Sequence, residues 1–318
     1  MRRHIVLGAG GALGSAIVRG LSAAGEDVVA VLRNTSRGIN VFSDSVPVRR
    51  VDARQAHQVS FAVHDADIVY HCLNVPYRDW QRLMPTITSN VLQAACTREA
   101  TLVFIGNVYG YGPLGDAPVS ESYPLRAASR KGVLRNQLEQ TLRKAHREGR
   151  IQLVLPRFPD YYGPNVTNRL FGPIFQAALR GGKAFWPGRL DVPHALIPVE
   201  DAAQACIHLS QVPEARGETW HVPGPPALTG GQFLELVYAS AGRKPRYGGI
   251  SKMALRAIGI VSSDARELVE LQYQFTSPLL MDGRKFSDAF AQIRFTPHEV
   301  AIRETLQWFR ERDQAALR

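Results

Sequence analysis

Cysteine, lysine and long apolar runs are scarce in this sequence. The three cysteines in 318 residues, Cys72, Cys96 and Cys206, are too few and too scattered for a disulfide scaffold or a clustered metal site. They suit a reducing cytosol. No run of 18 or more apolar residues occurs, which argues against a membrane span. The nine histidines have no paired ligand spacing, so no catalytic metal is expected. Lysine supplies only six of the 38 basic residues, and no block of five basic residues exists. A basic stripe interleaved with aromatics is also missing. The net charge of +10 therefore points to diffuse attraction for anions, such as a phosphorylated small molecule, and away from specific nucleic-acid recognition.

What is present is ordinary globular material: 45% hydrophobic and 21% charged residues, enough for a large buried core. Arg2 and Arg3 precede an apolar stretch as in a secretory signal. However, Gly8, Gly10, Gly11 and Gly14 interrupt that stretch. The pattern reads as a strand entering a glycine turn and a helix, so the expected location is the cytoplasm.

Strand-like runs at His4–Leu7, Val28–Leu32, Val46–Val51, Ile68–His71, Thr101–Ile105 and Ile151–Leu155 alternate with helical stretches at Leu13–Ala24, Thr86–Thr97 and Val133–Arg147. Thr219–Val222 is a candidate seventh strand. Alternation of this kind predicts an α/β protein with a parallel sheet covered on both faces. After residue 158, Gly and Pro cluster, and short helices are expected at Gly231–Ala241 and Pro297–Arg310. The expected division is a dinucleotide-binding domain over 1–158, joined again by 190–222. A smaller, irregular substrate lobe would be made of 159–189 and 223–318.

The strongest local signal is Gly8-Ala9-Gly10-Gly11-Ala12-Leu13-Gly14. Glycines let backbone approach a pyrophosphate, and N–H groups at a helix start attract its charge. Gly8, Gly11 and Gly14 fit G-x-x-G-x-x-G; Leu13 occupies the last position of the commoner G-x-G-x-x-G. Beyond the second strand, Arg33 and Arg37 suit the 2′-phosphate of NADP better than the ribose hydroxyl of NAD, or else are solvated loop residues. Asp52 either accepts from an adenine amino group or caps a helix.

These residues resemble the extended short-chain dehydrogenase/reductase family, the NAD(P)-dependent epimerase/dehydratase group. Further matches run along the chain: Asn90 with Val91-Leu92-Gln93, Val108-Tyr109-Gly110, Arg157 through Tyr162-Gly163-Pro164, His194 through Asp201, and Phe295-Thr296-Pro297 with Trp308. The resemblance implies a Rossmann-type doubly wound parallel sheet and a nicotinamide dinucleotide. It also implies a homodimer formed through Thr86–Thr97 and Val133–Arg147, and a small-molecule substrate such as a sugar derivative or secondary metabolite.

The family's Tyr-x-x-x-Lys signature is not kept. Either Lys131 matches the family lysine and Ala127 stands where tyrosine belongs, or Lys131 replaces the tyrosine and Arg135 the lysine. The second register is preferred because Gly132 and Glu139 then match too. The upstream hydroxyl is also missing, since Ile105-Gly106-Asn107 occupies that stretch. Candidate replacements for the catalytic groups are Lys131, Tyr109, Tyr111 and Asn107. Asn74 is expected near the nicotinamide end, while Asp160 and His194 either contact substrate or cap turns. The expected cofactor set is Gly8, Gly10, Gly11, Ala12, Leu13, Gly14, Arg33, Arg37, Asp52, Asn74, Lys131 and Arg157. The expected function is an atypical NADP(H)-dependent oxidoreductase or epimerase-like enzyme. The alternative is a non-catalytic NADP-binding sensor on the same scaffold.

Overall fold

The computed structural model describes residues 2–34, 42, 45–261 and 263–315. They form two compact units. The first comprises Met1–Gly110, Lys131–Phe158 and Ala202–Trp220; the second comprises Tyr111–Arg130, Pro159–Asp201 and His221–Arg318. Residues 111–130, which the sequence places in the amino-terminal half, thus cluster with the second unit.

The first unit is built on β1 (Arg3–Leu7), β2 (Asp27–Leu32), β3 (Val48–Arg50), β4 (Ile68–His71), β5 (Thr101–Phe104), β6 (Gly106–Asn107) and β7 (Gln152–Phe158). The strand order is Thr219–His221, β7, β5, β4, β1, β2, β3, with β6 also on β7. The β1–β2, β1–β4, β2–β3, β4–β5, β5–β7 and β6–β7 pairings are parallel. Ile5, Val6 and Leu7 are fully buried, which is why this strand reads as an unbroken apolar run rather than an alternating one. The expected parallel α/β sheet is present.

Helix α1 (Ala12–Ala23) buries Leu13, Ala16, Ile17, Val18 and Leu21. It ends at Gly25, whose φ of 72° suits the left-handed position after a helix. A methyl group on Gly20 would lie 2.9 Å from Ile207 Cδ1, so this helix packs closely on the one at Val199–Gln211. Helix α2 (Ala56–Ala62) follows β3.

Helix α3 spans Trp80–Arg98 with Pro85 inside it, six residues longer at its start than expected. Proline usually marks a helix start, since it lacks the N–H for an intrahelical bond. Here Trp80 and Met84, 4% and 1% exposed, anchor the turn ahead of it. Helix α4 (Arg130–Arg147) also starts early, carrying Lys131 into its first turn.

The second unit has two-stranded pairs, Asp160–Tyr162 with Leu196–Pro198, Ala184–Trp186 with Tyr247–Gly249, and Pro193–His194 with Leu228–Thr229. Its core is aromatic: Tyr162, Phe171, Phe175, Phe233 and Phe309 are buried, with Phe233 edge to face on Tyr162, Phe171 and Phe175. The Tyr162 hydroxyl bonds His298 Nδ1 at 2.9 Å. Helix Gly230–Ser240 falls where the sequence expects it, and His298–Ala315 starts where expected but runs past Arg310 to Ala315. Among the described residues no helix is long and apolar enough to cross a membrane.

Candidate functional site

The glycine turn joins β1 to α1. Gly8 has φ +85°, and a Cβ on it would lie 2.7 Å from the Cys72 carbonyl oxygen, so the chain leaving β4 presses on the turn. Gly14 is equally constrained, since its Cβ would lie 2.4 Å from the Gly8 oxygen. A Cβ on Gly10 would approach Leu32 Cδ2 at 3.1 Å. Gly11 differs from these: its nearest atom would be the Gly8 oxygen at 3.4 Å, an ordinary contact. Gly8 and Gly14 are therefore needed by the packing and Gly10 sits tightly against the Leu32 side chain, whereas Gly11 has only an ordinary contact.

Gly11 is the N-cap of α1, no side chain caps that helix, and no acidic residue lies in its first turn. Leu13 is 4% exposed, so its side chain belongs to the core, while Ala12 beside it is half-buried. A cradle of this shape, with helix N–H groups and a positive dipole end, fits a diphosphate.

Past β2, Arg33 is exposed, and Arg37 lies outside the described residues. Asp52 accepts from the Arg54 backbone N–H and forms an ion pair with its guanidinium. These Arg54 bonds, aided by Arg33, hold the Asp52 carboxyl below its ordinary range. Asp52 does not cap α2, because Gln55 holds that position. Asn90, on α3, donates from its side chain to the Ala53 carbonyl at 2.9 Å and fixes this loop.

A second group of candidates converges at the start of α4. Lys131 is 2% exposed, and its Nζ lies 5.2 Å from the Tyr77 ring centroid, a cation–π arrangement. The Tyr77 and Tyr109 hydroxyls are 2.8 Å apart. Trp80 meets Tyr77 edge to face at 5.1 Å and donates from Nε1 to Asn74 Oδ1 at 2.8 Å. Asn74 thus shapes the loop after β4. Asn107 Oδ1 accepts from the Tyr109 N–H at 3.1 Å, fixing the turn that presents Tyr109. Asn136 donates to the Gly110 carbonyl at 3.1 Å.

Lys131, Arg135 and Glu139 recur every four residues and are all buried, sharing one face of α4. Arg135 donates to the Ile105 carbonyl and lies 4.4 Å over the Phe104 ring. Arg157 forms a buried ion pair with Glu139, a structural engagement for a side chain expected near the cofactor.

One residue escaped the sequence reading. His71, the last residue of β4, is 2% exposed. Its Nε2 lies 3.2 Å from Thr88 Oγ1, and its ring meets Phe104 edge to face at 5.2 Å. Burial, then the Arg135 charge, pushes its pKa down to about 3. Nothing in an apolar strand ending in histidine signals this.

The remaining candidates belong to the second unit. Tyr111 is 1% exposed, and its hydroxyl is hydrogen-bonded to His221 Nε2. The opposite nitrogen of His221 donates to the Val119 carbonyl at 3.0 Å. Burial and bonding make Tyr111 part of that unit's core. His194 is held by Asp160 through Nε2 at 3.0 Å and by the Gln274 carbonyl through Nδ1 at 3.2 Å. Its ring stacks on Phe275 at 4.7 Å.

Residues 4–222 match the family model described as NAD dependent epimerase/dehydratase family. No curated protein sequence matches the chain. Among solved structures, Thermus thermophilus UDP-glucose 4-epimerase in complex with NAD is similar at a TM-score of 0.79 and 20% identity, covering 97% of this chain and 99% of that one. The Streptomyces venezuelae dTDP-glucose 4,6-dehydratase with NAD bound gives 0.80 and 19%, covering 98% of each chain. The Bacillus anthracis dTDP-glucose 4,6-dehydratase in complex with NAD gives 0.81 and 15%, covering 99% and 98%.

Proposed function

Because this chain belongs to the NAD dependent epimerase/dehydratase family, we propose that it is a cytoplasmic oxidoreductase or epimerase-like enzyme. It would use a nicotinamide dinucleotide, NADP in preference to NAD, on a small oxygenated substrate. A nucleotide-linked sugar is the first class to test, since the similar structures are epimerases and dehydratases of such sugars. The observation that carries the reading is the turn in which Gly8 and Gly14 are packed against the chain's own backbone while a side chain on Gly11 would meet only an ordinary contact.

In this reading the N–H groups of Ala12 and Leu13 at the start of α1 hold the diphosphate, while the Gly11 N–H bonds the Gly8 carbonyl and shapes the turn. Arg33, with Arg37, takes the 2′-phosphate. When bound, the nicotinamide supplies a centre that accepts or gives a hydride. Lys131 places a cation where the family carries its tyrosine, and there it polarises the reacting oxygen. The family resemblance adds a homodimer formed through α3 and α4. Light scattering of the purified chain tests that part, and a monomer at every concentration would contradict it.

The test of function is fluorescence titration with NADPH and NADH, followed by a nucleotide-sugar and carbonyl panel read at the nicotinamide absorbance. Equal or absent binding defeats the NADP preference. Full turnover by Lys131→Met removes Lys131 from the chemistry. The second reading, a dinucleotide-binding protein without turnover, is favoured by one observation: Arg135, at the family's lysine position, is engaged by the Ile105 carbonyl and the Phe104 ring. NADPH binding with no turnover across the panel would select it.

A further inference from the structure

We infer that the chain rebuilds the family's missing tyrosine–lysine pair from other positions, with Tyr77 as the proton-carrying phenol and Lys131 as the cation that stabilises its phenolate. The inference deepens the catalytic reading above and rests on it. In the preferred register Lys131 takes the signature tyrosine position and brings an ammonium in place of a hydroxyl. That ammonium lies 5.2 Å from the centre of the Tyr77 ring. Tyr77 comes from a different segment, the loop after β4, and this loop starts at Cys72, against which Gly8 packs. The phenol therefore stands in the loop that adjoins the glycine turn.

Two groups beside Tyr77 favour its charged form, and a third holds its ring. Lys131 is a cation on a buried stem, where Coulomb interactions are less screened than in water. The Tyr109 hydroxyl, 2.8 Å from the Tyr77 hydroxyl, can donate to a phenolate oxygen. The Trp80 edge against the ring, tied by Nε1 to Asn74 and the Val75 carbonyl, fixes the ring's orientation.

The proton balance is simple. Oxidation of a carbinol releases one proton from oxygen and one hydride from carbon. The hydride, with its electron pair, is the cofactor's share. The proton goes to the Tyr77 phenolate oxygen, which becomes the phenol as the carbonyl forms. Reduction returns that proton to the oxygen. Tyr109 holds the Tyr77 oxygen in place and is a positioning residue in this scheme.

The experiment is nitration of the full chain by tetranitromethane without nucleotide, with peptide mass spectrometry reporting each tyrosine. The reagent attacks phenolate, so the readout depends on neither turnover nor a known substrate. Tyr77 is expected to react about tenfold faster than the part-buried Tyr123. Lys131→Met should remove that advantage and Lys131→Arg should keep most of it. Tyr109→Phe, which takes away the donated hydrogen bond, should weaken it. A Tyr77 rate equal to that of Tyr123, or one unmoved by Lys131→Met in a folded protein, overturns the inference. NADPH titration of the same samples is scored separately. Fast Tyr77 nitration without nucleotide binding would instead count against the dinucleotide-enzyme reading and leave the Tyr77–Lys131 pair standing.

Discussion

Gly11 and Gly14 lie three residues apart in one motif and have different reasons to lack a side chain. Gly14→Ala would force its methyl to within 2.4 Å of the Gly8 oxygen. Overpacking of this kind is expected to cost about 1–3 kcal/mol, read as a lower melting temperature. Gly11→Ala meets only an ordinary contact and has an unremarkable φ of −80°. It should stay within about 0.5 kcal/mol of wild type while weakening NADPH binding about tenfold or more, because the methyl intrudes on the diphosphate. A Gly11→Ala protein that binds normally would remove the diphosphate from that turn. His71 gives a prediction of another kind. Its folded pKa is depressed from 6.5 to about 3 by burial, so the folded state resists the proton that the unfolded chain takes up. The stability this contributes is fully present above about pH 6.5 and is lost as pH falls toward 3, with a slope of about 1.4 kcal/mol per pH unit. Urea unfolding between about pH 5 and pH 7 should show that slope reduced by one proton in His71→Phe. An unchanged slope would mean that the imidazole titrates normally in the folded protein.

Elements were legible in the sequence where one physical signal dominated. The buried strands β1, β2 and β4 read as apolar runs, and the glycine turn announced both the end of β1 and the start of α1. The start of α3 was misplaced because Pro85 is a strong helix-start signal locally, while the buried Trp80 that overrides it acts through tertiary packing. The pairing of Tyr77 with Lys131 was illegible for a related reason: the two are far apart in sequence, and only the return of α4 beside the loop after β4 joins them. Arg157 read as a cofactor residue from its motif, but its carboxylate partner Glu139 lies on another element. In the second unit the helix Gly230–Ser240 carries a full capping box, with Thr229 and Gln232 bonded reciprocally. Thr229→Ala should cost about 1 kcal/mol, measured by chemical denaturation; no loss would show that the cap is redundant with packing.

At the scale of the whole molecule, fold and family were readable because several weak motifs occur in the right order. The substrate was not, because the motifs that carry the resemblance mark the fold and the dinucleotide, not the substrate. The positive charge is spread along the chain and carries little information beyond a general preference for anions. Arg33 and Arg37 sharpen that preference only through their place after β2, and Arg37 lies outside the described residues. The account therefore turns on whether the amino-terminal bend takes a nicotinamide nucleotide at all. Calorimetric titration of the purified chain with NADPH and NADH addresses this directly. It should show saturable NADPH binding, tighter than that of NADH and weakened by Gly11→Ala. No heat of binding from either nucleotide at millimolar concentration would contradict the account.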